Sequence, residues 1–465
     1  MKHEKPGTEN SIISNFLKIL ILLSPLPFGC VGRIFSPLFL MLILVLSFIA
    51  LGQPGGGVQF LAKKKIRYVF IAFLGFLGFQ LLPLPPFLLK LVSPAAANHI
   101  SQLTGQLTGF HPISMVPVET LIFGFRFLVY ALFFLALLHV RFKKKEIISI
   151  FKILVLSSVL QVILGLLKYL HGNKYFFLFF HKLAEHDPLQ KYLTGTLGNP
   201  NHFAFYLGMV LPLFLALLFL KLQFLETGKS LREKIIAAVD KNKWLLLYAA
   251  VPVLLGTGII LTGSRSGIVT MILCFLIFGQ LAVYLKKGKA IRRKLALFFI
   301  VITAAVLFIG VQTTVNKFLS TSFESSGRFL RWPATLNMSK DFLMLGAGFG
   351  TYRYSYFLYD PDEAGNWSTH AHNDYLEIFA EGGIIGSILF FLLIGMLFYS
   401  IIRMWWARGH PEIKVLGIGI ITSLFAVAFH SFFDFSLRIP ANVFVFVLIM
   451  ALGIKLVTYK REFKE

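Results

Sequence analysis

The sequence predicts an all-α polytopic membrane protein of about twelve transmembrane helices, on three observations. Hydrophobic residues make up 57% of the 465 positions, and mean hydropathy is +0.76. A soluble chain of this length cannot bury so much apolar surface. Apolar runs of spanning length recur along the chain, and the segments between them alternate in charge. An aromatic content of 15%, mostly phenylalanine, suits side chains that face lipid.

Taken in order, the runs lie at 12–28, 34–51, 66–82, 120–139, 147–170 and 201–220, then at 244–262, 267–285, 295–311, 383–402, 415–430 and 439–457. Each is near the roughly 20 residues that a helix needs to cross a bilayer. The first run lacks a small-residue cleavage pattern, so it reads as a span rather than a signal peptide. Between the second and third, Gly52-Gln53-Pro54-Gly55-Gly56-Gly57 reads as a flexible turn. Cys30 and Cys274 lie in different apolar segments and predict no disulfide framework.

Charge sets the expected orientation. The basic segments are Lys63-Lys64-Lys65-Ile66-Arg67, Arg141-Phe142-Lys143-Lys144-Lys145, 221–243, 286–294, 403–414 and the tail Lys460-Arg461-Glu462-Phe463-Lys464. With twelve spans all of them fall on the side of the N-terminus, which the positive-inside rule makes cytoplasmic, together with both termini. The net charge of +24 is then accounted for by loops that anchor helices, and no nucleic-acid partner is expected. The opposite side is expected to hold 83–119, 171–200, a short turn at 263–266 and the largest loop, 312–382. The chain reads as a single membrane domain, 1–465. Its large loop between spans nine and ten has room for a few helices but not for an independent domain.

The polar residues that could carry chemistry collect on that outer side. In the segment 366–386, His370 and His372 precede Asp374, a plausible helix cap with Glu377 three residues later. The positive end of a helix dipole disfavours imidazolium, so His372 would stay neutral there and able to accept a proton. Two surface histidines in a solvated loop are the alternative. Arg265, in Thr262-Gly263-Ser264-Arg265-Ser266-Gly267, sits at a turn too short to reach far into water. It is either snorkelling to headgroups or forming an anion site from a guanidinium fork and small residues. Arg126 raises the same question in the fourth span. Arg328 and Arg331, beside Trp332, suit a phosphate-bearing ligand or a basic helix resting on headgroups. The spacing of His181, Glu185 and His186 matches no zinc motif, so no metal site is expected.

With these residues in view, the chain resembles the bacterial O-antigen ligase and polymerase family. Gln80-Leu81-Leu82-Pro83-Leu84-Pro85 and Ser93-Pro94 look like its first outer loop. Gly195-Thr196-Leu197-Gly198-Asn199-Pro200-Asn201-His202 looks like its Asn-bearing segment, and Leu261 to Gly267 resembles its Ser-Arg turn. Gly327-Arg328, Trp332, Gly346-Ala347-Gly348-Phe349-Gly350, His372-Asn373-Asp374-Tyr375-Leu376 and Glu381-Gly382-Gly383 follow in the family's order.

The resemblance implies a glycosyltransferase of the bacterial inner membrane, with a fold similar to the GT-C-like lipid-linked sugar transferases. It would move a glycan from undecaprenyl diphosphate to an acceptor hydroxyl at the periplasmic face. By motif, His372 would be the base, and Arg265 and Arg328 would clamp the diphosphate. Arg331, His370, Asn373, Ser264, Asn201 and Arg126 would contact substrate, with no metal or cofactor. The expected partners are the lipid-linked donor, membrane lipids and lipid A–core or another glycan acceptor. Ligation onto lipid A–core is the first expectation, O-antigen polymerisation the second and protein O-glycosylation the third. A multi-span transporter is the competing class. It fits less well, because the chain shows no internal repeat and few charges within its spans.

Overall fold

The computed structural model describes residues 8–53, 64–172, 175–177, 180–182, 191–223, 244–285, 328–360 and 369–458. The chain forms α1 (Thr8–Leu23), α2 (Phe35–Leu51), α3 (Lys64–Leu81), α4 (Pro86–Val92), α5 (Pro94–Thr104), α6 (Pro117–His139) and α7 (Lys144–Leu170). It continues with α8 (Pro200–Gln223), α9 (Trp244–Leu261), α10 (Arg265–Leu285), α11 (Arg328–Asp341), α12 (Asp374–Trp406), α13 (Pro411–His430) and α14 (Pro440–Thr458). Six of them (α4, α5, α6, α8, α13 and α14) open on proline, whose missing N–H has no helical partner to lose at that position. Among the described residues the all-helical expectation has one exception, a hairpin in which Tyr175–Phe177 (β1) pairs antiparallel with Phe180–Lys182 (β2).

Among the described residues seven helices (α6, α7, α8, α10, α12, α13 and α14) are long and apolar enough to cross a membrane. Shorter apolar stretches lie in α1, α2 and α9, and α3 opens with Lys64, Lys65 and Arg67. The expected ninth span, 295–311, lies outside the described residues, as do 312–327 and 361–368 of the large loop. The protein is a polytopic membrane protein.

Helices α8 and α13 form the centre, with 83% and 78% of their apolar windows buried against 33% for α12. Their close approach depends on Gly419. A Cβ there would stand 2.7 Å from Ala216 Cβ and 2.8 Å from the Pro212 carbonyl. Where lipid replaces water, such small residues let dispersion contacts drive helix association.

The two ends of the bundle differ in character. At one end basic segments meet: Lys144 pairs with Glu412, Arg408 Nε donates to the Val457 carbonyl at 2.6 Å, and Lys455 donates to the Val140 carbonyl. At the other, α4, α5, α11 and the segment up to Tyr359 build a second small core. Leu89, Met338, Phe342, Tyr352 and Tyr356 fill it.

Beneath that core α12 is broken. The sequence predicts a span beginning near 383, whereas the helix starts at Asp374 and Gly383 departs from helical geometry (φ 60°, ψ −164°). The break lets an outside segment pair with the helix. Ala347 and Gly348 N–H donate to the Ala380 and Glu381 carbonyls, both at 3.0 Å, and Ile384 N–H donates to the Leu343 carbonyl at 2.8 Å. A Cβ on Gly346 would lie 2.1 Å from the Glu381 carbonyl oxygen, and one on Gly383 2.5 Å from the Met344 carbonyl carbon. The Gly346–Gly350 and Glu381–Gly383 motifs are therefore two sides of one backbone contact. Buried Gln80 locks it, donating to the Leu345 and Glu381 carbonyls at 2.7 and 3.0 Å and accepting from Phe349 N–H at 3.1 Å.

The cap of α12 is also one residue from its expected place. Asn373, not Asp374, is the N-cap: its Oδ1 accepts the N–H groups of Tyr375 and Leu376 at 3.0 and 3.1 Å. Asp374 is the first helical residue. Glu377, freed from a capping box, turns its carboxylate elsewhere.

Candidate active site

Five helix ends converge beside the Asn373 cap: the starts of α8, α10, α12 and α14 and the end of α13. The turn between α13 and α14 supplies the residue that ties them together, Asp434, whose side chain is completely buried. His372 Nδ1 lies 3.2 Å from Asp434 Oδ1. His202 Nδ1 lies 3.0 Å from Oδ2, which also accepts Ser436 Oγ at 2.7 Å. An ionised carboxylate only accepts, so both imidazoles carry their proton on Nδ1 in these bonds. Burial alone pushes the Asp434 carboxyl up. The charge of His202, the hydrogen bonds from His202 and His372, and the charge of His430 outweigh it and hold the group well below the usual carboxylate range.

His372 is placed by its backbone as well as its partner. Its φ of 51° is one of three positive values at non-glycine residues among the described ones, a conformation that costs of order 1–3 kcal/mol. The side chain is 23% exposed, so with Nδ1 held by Asp434 the ring remains reachable from outside. Phe435 packs against the site's histidines: His370 stacks on its ring at 4.0 Å, and His372 and His202 meet it edge-on at 4.8 and 4.7 Å.

A second carboxylate cluster lies next to the first. His370 Nδ1 is 2.9 Å from Glu377 Oε1, and Glu377 Oε2 accepts the Ala371 N–H at 3.0 Å. Arg438 reaches Glu377 with Nε at 3.2 Å and Glu381 with Nη2 at 2.7 Å. Glu381 also accepts the Tyr352 N–H at 3.1 Å. Burial opposes the Arg438 charge, and Glu381 and Glu377 outweigh it, so the guanidinium is held more firmly protonated than usual.

The other expected site residues divide into those near Asp434 and those apart from it. Arg265 is half-buried at the first position of α10. Ser264 caps that helix, its Oγ accepting the Gly267 N–H at 3.2 Å, and Ser266 Oγ lies 3.2 Å from His430 Nε2. The charge of His430 reaches Asp434, so the Ser-Arg turn and His372 share one neighbourhood. Asn201, at the start of α8, donates its N–H to Asn199 Oδ1 at 2.8 Å and places His202. Asn373 spends its side-chain oxygen on the helix cap. Arg331 is half-buried on α11, and Trp332 Nε1 beside it donates to the Ala371 carbonyl at 3.0 Å. Arg328 opens that helix, and its side chain lies outside the described part of the structure.

Arg126 is exposed on α6. With Asp374 and Arg438 it lines the polar part of a cavity of about 260 Å³ between α2, α3, α6, α12 and α14. Phe123, Phe127, Phe134, Phe390, Leu397 and Met450 are among its apolar walls.

Asp434 and Arg438 are not among the residues singled out from the sequence, and His202 appears there only at the end of the Asn-bearing segment. A signal was present. Ser431 to Arg438 places an acid and an arginine in one short turn between two apolar helices, the same costly arrangement that singles out Arg265.

Comparison with known proteins bears on the identity of the site. Residues 250–391 match a family model described as O-antigen ligase. The matched segment runs from α9 through the Ser-Arg turn and His372 into α12. No curated protein matches the chain. The match supports assignment to the O-antigen ligase family and, in general terms, an O-antigen ligase- or polymerase-like membrane glycosyltransferase.

Proposed function

We propose that the protein transfers a glycan from undecaprenyl diphosphate to an acceptor hydroxyl at the periplasmic face of the inner membrane. O-antigen ligation onto lipid A–core is the preferred reaction. The observation that carries this reading is the His372–Asp434 pair, an accessible imidazole held by a buried carboxylate. With its proton on Nδ1, His372 presents the lone pair of Nε2 outward, as a general base requires.

In this reading the acceptor hydroxyl gives its proton to His372 Nε2 as its oxygen bonds to the anomeric carbon. The bond from that carbon to the diphosphate oxygen breaks, and the electron pair leaves with undecaprenyl diphosphate. Negative charge grows on the leaving phosphate, and fixed guanidinium groups are the side chains suited to stabilise it. Arg265 and Arg328 are assigned that role. The imidazolium afterwards returns its proton to water or product, resetting the site. Attack opposite the departing diphosphate makes the transfer a single, inverting displacement.

The distribution of charge supports the proposed orientation. Lys144, Arg408 and Lys455 sit at the end of the bundle away from His370 and His372, as the positive-inside rule asks of a cytoplasmic end. The cavity beside Arg126 supports a lipid-linked substrate, since its walls suit a hydrocarbon chain and its polar part an anionic head.

The test is a deletion strain complemented with wild type or with His372→Ala. The expected outcome is loss of polymer from lipid A–core, accumulation of lipid-linked polymer and no rescue by the variant. Single-repeat capping in the deletion strain would indicate a polymerase instead, and unmodified protein a protein glycosylase. Full rescue by His372→Ala would rule out the base.

A further inference from the structure

The cavity between α2, α3, α6, α12 and α14 is lined by two buried side chains whose polar atoms the fold does not pair. Ser36 on α2 is 5% exposed and Asp374 on α12 is 3% exposed, and both line the cavity. Neither Ser36 Oγ nor Asp374 Oδ2 has a hydrogen-bond partner among the described residues. A serine within a helix commonly returns its hydroxyl to the preceding turn. Ser47 of the same helix does so, donating to the Ile43 carbonyl at 2.7 Å, whereas Ser36 does not. Ser431 and the charge of Arg438 also act on Asp374, but Arg438 directs Nε to Glu377 and Nη2 to Glu381. Buried polar atoms in this state are costly unless a ligand completes them.

Both side chains lie at the same end of the cavity. Asp374 and Arg438 belong to the surroundings of the histidines. Gly29, in the segment leading into α2, lies so near the start of α14 that a Cβ on it would stand 2.9 Å from Ile439 Cγ2. Tyr130 OH donates to the Pro440 carbonyl at 3.1 Å, and Arg126 sits one turn before Tyr130 on α6. An exposed guanidinium therefore joins the two unpaired groups. The rest of the cavity is apolar. Its lining on α6 runs from Phe123 to Leu135, a rise of about 18 Å. At about 260 Å³ it is smaller than the roughly 300–1,000 Å³ of a drug-sized ligand site, which suits one lipid chain rather than two.

We propose that Ser36 and Asp374 are donor-binding residues: with Arg126 they take the chain-proximal phosphate of a polyprenyl diphosphate whose first isoprene units fill the cavity. The inference rests on the donor assigned above. Ser36 gives its O–H and Arg126 its N–H groups to phosphate oxygens, as charge-assisted hydrogen bonds. An ionised carboxylate and an ionised phosphate both only accept, so Asp374 and a phosphate oxygen meet across one shared proton. Asp374 is two residues from His372, so a phosphate held here stands at the edge of the candidate active site. The second phosphate, which carries the sugar, is left for Arg265 and Arg328.

The test is binding of undecaprenyl diphosphate to the full-length protein in detergent, without acceptor, so that no turnover enters. Ser36→Ala and Asp374→Ala should each weaken binding about tenfold. Asp374→Asn should bind at least as tightly as wild type, because its amide N–H donates without a bound proton. Unchanged binding by Ser36→Ala, or unchanged or tighter binding by Asp374→Ala, overturns the proposal. Melting temperatures without lipid show whether each variant is folded. If the Asp374 variants do not fold, Ala131→Trp, which fills the cavity from α6, decides: lost binding supports the site and full binding overturns it. Excess phosphatidylglycerol should leave binding unchanged, and displacement by it would make this a phospholipid site instead. Failure of the donor assignment reads differently, since wild type would then bind no undecaprenyl diphosphate.

Discussion

Two buried carboxylate clusters lie side by side in this protein, and they are built for different purposes. Asp434 is surrounded by imidazoles, whose charge changes near neutral pH. Glu377 and Glu381 are bound by Arg438, whose charge does not change. The first cluster opens outward through His372. In the second His370 is partly exposed as well, but its carboxylates are occupied by Arg438 and by the N–H groups of Ala371 and Tyr352. Histidine around a carboxylate permits a proton to move, whereas arginine around carboxylates fixes a shape. The second cluster holds the kinked start of α12, and therefore His370 and His372, in place for the first.

This contrast predicts separable failures. The largest effect falls on the open cluster, where His372→Ala should lower transfer by about 10²–10⁴-fold with the melting temperature in detergent little changed. A comparable loss of melting temperature would make His372 a structural residue and erase the distinction. Arg438→Ala should do the reverse and cost about 3–5 kcal/mol of stability, because it takes the arginine charge from two buried carboxylates and leaves Glu381 without its ion-pair partner. Chemical denaturation or the yield of folded protein reads this.

Gln80→Leu tests the lock between the two glycine motifs. It removes the Gln80 partner from the Phe349 N–H and the Leu345 carbonyl, while the Glu381 carbonyl keeps the Gly348 N–H, and should cost about 1–3 kcal/mol. Asn373→Ala removes only the helix cap and should cost about 1 kcal/mol, with a smaller fall in activity than His372→Ala. The smallest effect is one of pH. The Asp434 carboxyl is held below its ordinary range, so the stability it contributes is present above the unfolded value of about 3.9 and is lost as pH falls through the lower folded value. Wild type should therefore lose stability relative to Asp434→Asn only below about pH 4, and melting curves between pH 7 and 3 read this difference.

The outer arrangement shows how far sequence carries. His370 and His372 stand out as titratable residues before a long apolar helix, and the structure places both at the convergence of helix ends. Arg265 stands out as an arginine in a short turn, and its neighbour Ser266 reaches His430. Asp434 has no motif spacing to betray it, and only its sharing of a short turn with Arg438 between two apolar helices marks it as costly. Its importance comes from His202 and His372, which are remote from it in the chain. The Asn373 cap shows a smaller limit, since two adjacent residues, Asn and Asp, are both good caps and only backbone geometry chooses between them.

The sequence by itself determined that this is a mainly helical membrane protein and where most of its described helices run. It also determined which short polar segments were too costly to be accidental. Those properties follow from the solvent, because a bilayer imposes a length on each helix and a penalty on every charge, and both are read locally. Only the tertiary structure decided that α12 breaks at Gly383 to receive Gly346, that Asn373 rather than Asp374 caps it, and that His372 pairs with Asp434. The first and last depend on atoms distant in the chain meeting within about 3 Å, and the cap on backbone geometry that two adjacent good cap residues leave open; local pattern encodes neither.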